Sequence, residues 1–324
     1  MNKYICLIGM LIALPTFHLF AQEKPNITVA QDGSGDYKTI QEAVNACRAF
    51  QTVDKIIFIK NGIYNEKILI DSFFTHLKLV GESVEQTIIT FGDFAGKDNM
   101  GTFRSYTMKI TGDDIVVENL TIENSAGEVG QAVALHVEGD RCIFRNCRIL
   151  GNQDTVYAAG QKSRQYFADC YIEGTTDFIF GAATAIFDRC TIHSKRDSYI
   201  TAASTPQGKR FGYVFRNCKL TANPVATKVY LGRPWRDYSK TVFLNCEMGA
   251  HILPEGWHNW SRAEAEKSSF YAEYQSSGSG FVSGKRVGWS HQLSKKKAKN
   301  YQPAKIFQEE STWNPDGINK DYTK

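Results

Sequence analysis

Six short segments along the chain repeat one pattern of apolar and polar residues. Five of them begin with Phe, carry Cys three positions later and end on Ile, Leu or Met: Phe144–Ile149, Phe167–Ile172, Phe187–Ile192, Phe215–Leu220 and Phe243–Met248. The sixth, Val117–Ile122, has Leu120 in the place of Cys. Successive segments start 27, 23, 20, 28 and 28 residues apart. A repeat of this length indicates one supersecondary unit stacked on its neighbours.

Each repeated segment is too short for a helix and predicts a β-strand flanked by polar turns. Phe, Cys and the final apolar residue cannot all face inward along a straight strand, so we expect a bend near the intervening Asn or Asp. Stacking such bent units every ~4.8 Å gives an all-β fold, a parallel β-helix. The cysteines would then form a buried column of small apolar side chains. A disulfide between adjacent coils is the alternative.

A short helix is predicted before the repeats. Thr39–Cys47 combines a capping-box pattern with apolar residues at helical spacing. We expect this helix to cover the end of the first coil, because an open sheet edge needs protection. Residues 261–324 lack the repeat and are expected to pack along the outside of the solenoid. Residues 22–324 are thus predicted to form a single parallel β-helix domain.

Residues 1–21 are typical of a secretory signal peptide. Lys3 is followed by an apolar run from Tyr4 to Leu14, and a small residue stands at Ala21. The run is shorter than the about 20 apolar residues that span a bilayer. A buried N-terminal strand is the alternative interpretation. We expect a secreted or periplasmic protein without a transmembrane helix.

The composition is ordinary for a globular protein, with 42% hydrophobic residues in a chain of 324. Lys and Arg number 38 against 34 Asp and Glu, and no basic run exceeds Lys295–Lys297, so nucleic-acid binding is not predicted. The mild positive balance suits a polyanionic partner. Neither the cysteines nor the histidines have the spacing of zinc ligands, so the sequence gives no support for metal catalysis, and no metal site is predicted.

Several acidic, amide and basic residues stand inside otherwise apolar stretches and are candidates for chemistry. They are Gln131, Gln153, Asp154, Asp177 and Arg233. Each also has a plainer interpretation, because an isolated Asp near a turn usually caps backbone N–H groups, and amides or an arginine can be surface groups. The motifs of serine hydrolases, zinc proteases and phosphate-binding loops are missing from the sequence.

The spacing of these candidates favours a shared site. Gln131 and Gln153 are 22 residues apart, and Asp154 and Asp177 are 23 apart, which is close to one coil. Residues one coil apart are stacked neighbours, so the four side chains can gather on one face. Two carboxylates that close cannot both ionise comfortably, so one keeps its proton unless a cation intervenes. Arg233, two or three coils further on, is the candidate cation.

At these residues the chain resembles the pectinesterase (pectin methylesterase) family. The matching motifs, in order, are Val29–Ala43, Gly62–Glu66, Gln131–Leu135, Gln153–Thr155, Gly174–Gly181 and Leu231–Trp235. The resemblance runs from about residue 27 to Trp313. It implies a right-handed, single-stranded parallel β-helix, in agreement with the repeat. It also implies hydrolysis of the methyl esters of pectin, with no cofactor, by a protein that we expect to be a monomer.

The resemblance implies a catalytic role for each candidate. Asp177 would be the nucleophile, and Asp154 the general acid and then the general base. Gln131 and Gln153 would form the oxyanion hole. Arg233 would hold the nucleophile, and we expect its charge to lower the pKa of Asp177 while the desolvated Asp154 keeps its proton.

The resemblance also implies contacts to the sugar rings of pectin from Trp235, Tyr157 and Phe180. One departure lies beside the proposed nucleophile, where Thr176 stands in place of the Val that is usual in the family. Two alternatives to a pectinesterase remain. One is another β-helix enzyme acting on pectin, a lyase or a polygalacturonase; the other is a non-catalytic carbohydrate-binding solenoid.

Overall fold

The structure of the protein, a computed structural model, describes residues 26–282, 284–307 and 313–315. The predicted signal peptide, residues 1–21, lies outside the described residues. In chain order the strands are β1 (Ile27–Val29), β2 (Lys55–Ile59), β3 (Gly62–Asn65), β4 (Ile68–Ile70), β5 (Leu77–Gly81), β6 (Thr87–Phe91), β7 (Met108–Ile110), β8 (Ile115–Glu118), β9 (Thr121–Asn124), β10 (Leu135–Val137), β11 (Cys142–Arg145), β12 (Arg148–Leu150), β13 (Val156–Ala158), β14 (Arg164–Ala168), β15 (Tyr171–Gly174), β16 (Ile179–Gly181), β17 (Thr184–Asp188), β18 (Thr191–Ser194), β19 (Tyr199–Ala203), β20 (Tyr213–Arg216), β21 (Lys219–Ala222), β22 (Tyr230–Pro234), β23 (Lys240–Leu244), β24 (Glu247–Met248), β25 (Phe270–Tyr274) and β26 (His291–Gln292). The helices are α1 (Ile40–Asn45), α2 (Ala263–Ser268), α3 (Lys295–Ala298) and α4 (Pro303–Phe307), with short 3₁₀ helices at Lys97–Asn99, Thr102–Arg104 and Lys299–Tyr301. None of these described helices has the length and apolar character needed to cross a membrane.

The strands form three parallel sheets that the chain visits in turn. Sheet A has 11 strands, in the order β1-β2-β5-β8-β11-β14-β17-β20-β23-β25-β26. Sheet B has 8, in the order β24-β21-β18-β15-β12-β9-β6-β3, and sheet C has 7, in the order β22-β19-β16-β13-β10-β7-β4. One coil takes a strand from each sheet, for example β11, β12 and β13, and the next coil lays β14, β15 and β16 beside them. The described chain is therefore a parallel β-helix, as the repeat predicts.

The repeated Phe residues form a continuous stack in the interior. They are in register from coil to coil, with neighbouring ring centroids 4.4 to 4.7 Å apart: Phe144, Phe167, Phe187, Phe215 and Phe243. Each of these rings is fully buried. The repeated cysteines are buried too, and all seven cysteines among the described residues are free thiols. The alternative of a disulfide between coils is therefore wrong.

The predicted bend lies at the residue immediately before the repeated Cys, or before Leu120 in the sixth segment. The residues at this position have φ between 47° and 59°: Asn119, Asn146, Asp169, Arg189, Asn217 and Asn245. Asn and Asp adopt this left-handed conformation more readily than other residues with a side chain. The bend separates the strand of sheet A from the strand of sheet B, so that Phe, Cys and the last apolar residue all reach the interior.

Helix α1 closes the N-terminal end of the core. The Thr39 hydroxyl accepts from the Glu42 N–H at 3.3 Å, and the Glu42 carboxylate accepts from the Thr39 N–H at 3.3 Å, which is the predicted capping box. Ile40, Ala43 and Val44 are fully buried in the main apolar cluster. The predicted capping helix is therefore confirmed.

The C-terminal segment corrects one expectation. Strand β25 pairs with β23 and extends sheet A, so residues 261–324 do not all pack outside the solenoid. Tyr271 of this strand is fully buried, with its ring centroid 4.4 Å from that of Trp257. Glu273 and Ser276 stand at the positions that Phe and Cys occupy in the repeat, and so the pattern did not predict this strand. Helices α3 and α4 do pack as expected, through buried apolar side chains on the outer face of sheet A.

Candidate active site

The turns that lead into sheet C carry four of the predicted site residues. Gln131 and Gln153 form a parallel bridge between adjacent coils. The Asp154 N–H donates to the Thr176 carbonyl at 3.1 Å, in the turn that also holds Asp177. The two amides and the two carboxyl groups therefore lie on three consecutive coils, as their spacing predicts.

Both aspartates have a backbone conformation that few residues adopt. The φ angle is 68° at Asp154 and 49° at Asp177, in the left-handed region. The two residues are only 5% and 6% exposed. A carboxyl group held this far from water needs either a proton or a charged partner.

Arg233 supplies the charged partner of Asp177. Its Nε donates to Asp177 Oδ1 at 2.9 Å, and its Nη2 donates to Asp177 Oδ2 at 2.6 Å. A guanidinium has no acceptor, so both carboxylate oxygens must accept, and the pair fits an ionised Asp177. Strand β22, which carries Arg233, lies two coils beyond β16, within the predicted two or three.

Two aromatic rings from different parts of the chain pack against the Arg233 guanidinium. The Arg233 guanidinium carbon lies 3.9 Å from the ring centroid of Tyr199 and 3.6 Å from that of Trp260. Tyr199 comes from β19, the coil between Asp177 and Arg233. Trp260 comes from an irregular loop, in which its backbone N–H donates to His258 Nδ1 at 2.9 Å and its φ is 58°. These contacts restrict the guanidinium to the plane in which it meets Asp177.

The two carboxyl groups differ in their electrostatic surroundings. Burial and the adjacent negative charge of Asp177 raise the pKa of Asp154 to about 8, against weaker opposing effects of Gln131 and Arg233. Burial also raises the pKa of Asp177, and the hydrogen bonds and charge of Arg233 oppose this rise. Arg233 lowers the pKa of Asp177, as expected, but burial has the larger and opposite effect, so the pKa of Asp177 lies above its ordinary value. A pKa raised in this way favours the protonated form of Asp154 at neutral pH.

A threonine that the sequence did not single out fixes the orientation of Gln131. The Thr102 hydroxyl donates to Gln131 Oε1 at 2.9 Å, so the amide oxygen is occupied and the amide N–H groups are left for the cleft and Asp154. Thr102 lies in a loop that is anchored by Asp93. The Asp93 carboxylate accepts from Lys67 at 2.6 Å and from Lys97 at 2.9 Å.

A row of aromatic side chains extends from the carboxyl groups along the outer face of sheet C. The rings of Phe103 and Tyr157 stack with centroids 4.8 Å apart, and those of Tyr157 and Phe180 with centroids 4.6 Å apart. Trp235 meets the Phe180 ring edge-on at 5.8 Å. Phe180 is only 4% exposed, so the exposed part of the row is formed mainly by its neighbours.

A cleft of about 200 Å³ joins these parts. Its lining includes Gln131, Gln153, Asp154, Asp177, Arg233 and Trp235, and it also includes Thr102, Phe103 and Trp260. Phe180 lines the cleft as well, whereas Tyr157 is not part of the lining and stacks on Phe180. Within the described ranges, no three His, Cys, Asp or Glu side chains are grouped so as to hold a metal ion. The arrangement pairs an ionised carboxylate with a neutral carboxylic acid and amide donors, which is suited to acyl transfer.

Comparison with known proteins decides the family. The family model described as Pectinesterase matches residues 26–310. The chain belongs to the pectinesterase family. It is 41% identical over 278 residues to Pectinesterase 31 of Arabidopsis thaliana, which covers 82% of this chain and 87% of that protein. Other curated relatives, named as pectinesterase/pectinesterase inhibitors of the same plant, are longer, and the chain spans 42% to 52% of their length.

Solved structures of pectin methylesterases share the fold. The enzyme from carrot superposes with a TM-score of 0.84 at 34% identity, over 88% of this chain and 94% of that one. The enzyme from Erwinia chrysanthemi gives a TM-score of 0.77 at 31% identity, over 91% of this chain and 100% of that one. The fold is a right-handed parallel β-helix, as predicted.

Within this pectinesterase-family fold, Thr176, which precedes the proposed nucleophile, has a hydrogen-bonding partner of its own. Ser198, on the next coil, donates its hydroxyl proton to Thr176 Oγ1 at 2.8 Å. A half-buried hydroxyl at this position is therefore satisfied, whereas it would cost free energy if it were left without a hydrogen bond. The Thr176 carbonyl separately accepts the backbone N–H of Asp154.

Proposed function

We propose that the protein is a pectinesterase that hydrolyses the methyl esters of polygalacturonate to free carboxylates and methanol. The observation that carries the proposal is the pair of buried aspartates, of which Asp177 is bound by Arg233 and Asp154 has its pKa raised to about 8. Such a pair provides a nucleophile and a proton donor at the same pH. Membership of the pectinesterase family supports the choice of substrate.

In the first half of the reaction, the Asp177 carboxylate attacks the carbonyl carbon of the methyl ester. Negative charge develops on the carbonyl oxygen, where the amide N–H groups of Gln131 and Gln153 stabilise it. A donor of this kind typically contributes about 3 kcal/mol to the transition state. The bond to the methoxy oxygen then breaks, Asp154 gives its proton to the departing methanol, and an anhydride joins Asp177 to the sugar.

In the second half, the deprotonated Asp154 takes a proton from water, and the resulting hydroxide oxygen attacks the acyl carbon of the sugar. The anhydride bond breaks, which restores the Asp177 carboxylate and leaves a free carboxylic acid on the polymer. Arg233 holds the Asp177 oxygens in one orientation throughout. The residues in hand account for every proton transfer, so the proposal needs no cofactor.

The aromatic row supports binding of a sugar chain. Trp235, Tyr157 and Phe180 are the proposed substrate contacts, since flat apolar ring faces pack well against pyranose rings. The proposed partner is methylesterified pectin, bound by a monomer; nucleic acids and membranes are not proposed partners. We also propose that residues 1–21 are a signal peptide and that the mature protein is secreted or periplasmic.

The test is an assay of methanol release from methylated polygalacturonate, with new reducing ends measured in parallel. The wild type is expected to release methanol without producing reducing ends, whereas a lyase or a polygalacturonase would cut the chain. Asp177→Asn is expected to lose at least about 10³-fold in rate, because the nucleophile is gone. Asp169→Asn is the matched control, since this aspartate also has a left-handed backbone but its side chain is 54% exposed and pairs with Arg189. Equal rates for the two variants would refute the proposal.

A further inference from the structure

The positive charge of the chain is concentrated in one C-terminal segment. Between Glu273 and Glu309 the sequence has no Asp or Glu and seven Lys or Arg. The remaining 31 Lys and Arg are outnumbered by the 34 Asp and Glu of the chain. The formal excess of +4 therefore comes entirely from this segment.

Five lysines of the segment form a surface that has no acidic partners among the described residues. The lysine surface consists of Lys295, Lys296, Lys297, Lys299 and Lys305, all exposed. In the part of the chain that the structure describes, none of the five makes an ion pair. The lysines of the solenoid itself differ, since Lys67, Lys78, Lys109 and Lys195 each pair with an acid on a neighbouring coil or strand.

The lysine surface lies on helices that are packed against the solenoid. Helices α3 and α4 bury Ala298, Ile306 and Phe307 against the outer face of sheet A. The Ser294 hydroxyl caps α3 by accepting from the Lys297 N–H at 3.4 Å. Lys295 and Lys299 lie one helical turn apart, where like charges repel. A fold that holds such charges together without neutralising them presents a site for an anion of extended shape.

We propose that the lysine surface is a second binding site for polygalacturonate, separate from the catalytic cleft on sheet C. The inference rests on the proposed function, because that reaction turns neutral methyl esters into carboxylates. Each turnover adds one negative charge to the polymer, so a de-esterified stretch matches the lysines and a methylated stretch does not. The enzyme is thereby retained on the pectin that it has already de-esterified.

The experiment compares two variants that lose the same charge. The surface variant carries Lys295→Gln, Lys296→Gln and Lys297→Gln. The control variant carries Lys38→Gln, Lys219→Gln and Lys228→Gln, three exposed lysines elsewhere on the solenoid. Binding is measured to immobilised polygalacturonate, to highly methylated pectin and to phosphatidylglycerol vesicles, and methanol release is measured in parallel on short methylated oligomers.

The surface variant is expected to bind polygalacturonate about tenfold more weakly than the wild type at low salt, and the control variant less than twofold. The difference should shrink at high salt, because the charges are exposed. Methanol release should be the same in all three proteins, so a failure of the proposed function is distinguished from a failure of this surface. Equal weakening in both variants would overturn the inference. So would a surface variant that loses vesicle binding and keeps its affinity for polygalacturonate.

Discussion

Two sets of residues in this solenoid share a left-handed backbone conformation but serve different purposes. At the bends between sheets A and B, Asn146 is exposed, and its side-chain amide donates to Asn119 Oδ1 on the previous coil at 2.9 Å. At the turns into sheet C, Asp154 and Asp177 have similar positive φ angles but are buried. The first set only shapes the coil, and the second set carries the proposed chemistry.

The difference lies in the surroundings of the side chain and not in the backbone. The bends face solvent, where an amide is satisfied by its neighbour or by water. The turns into sheet C are covered by the loop that carries Thr102 and by the loop that carries Trp260. Burial under these loops raises the pKa of both aspartates, which no exposed residue at a bend would experience. A turn that any solenoid needs is thus converted into a reactive site by what covers it.

After the loss of the nucleophile itself, the largest expected effect comes from removing the proton of Asp154. Asp154→Asn is expected to lower kcat by about 10² to 10⁴-fold at pH 6, because the amide cannot deliver a proton to methanol. In the wild type the protonated form is present below a pKa of about 8, so kcat should fall as the pH rises through that value. Methanol release between pH 5 and pH 10 measures both effects. A wild-type rate that rises through pH 8 would contradict the assigned role.

A smaller effect is expected from removing one of the aromatic rings that pack against Arg233. Trp260→Leu removes one of the two rings beside the guanidinium, a contact worth about 2 kcal/mol when it is desolvated. This corresponds to a loss of about 30-fold in kcat. Trp260→Phe keeps a ring there and is expected to retain most of the rate. Only the Leu variant should shift the low-pH side of the pH profile of kcat, where the rate depends on ionisation of Asp177. Identical profiles for the two variants would show that Trp260 does not position Arg233.

The smallest effect is expected at the bends. Asn146→Ala is expected to lower the free energy of unfolding by about 1–2 kcal/mol, because alanine strains a left-handed backbone. Asn146→Gly, the control, relieves that strain and should cost less. Denaturant unfolding measures both variants, and kcat should stay at the wild-type value. A large loss of activity in either variant would show that the bends and the catalytic turns are not independent.

Much of this architecture is predictable because equivalent residues recur at regular spacings along the chain. A Phe and a Cys at fixed positions in each unit predict the stacked coils, and spacings of 22 and 23 residues predict that the amides and the carboxyl groups meet. Thr102 and Trp260 were not predicted, because they come from irregular loops whose path no repeat determines. Tyr199, 22 residues after Asp177, could have been found from the same spacing. The net direction of the Asp177 pKa was not predictable either, since it depends on burial that only the folded loops create.

Arg233 reaches Asp177 across an entire intervening coil, over the ring of Tyr199. The length of its side chain is therefore matched to twice the rise of the solenoid. Lysine presents a single ammonium group, which cannot engage both carboxylate oxygens in this geometry. Deleting or duplicating one complete turn between these two strands would leave the hydrophobic stack intact and yet move the guanidinium out of range. The number of coils between Asp177 and Arg233 therefore sets the distance between the two side chains. That number has to be preserved more strictly than the amino-acid sequence of the coils themselves.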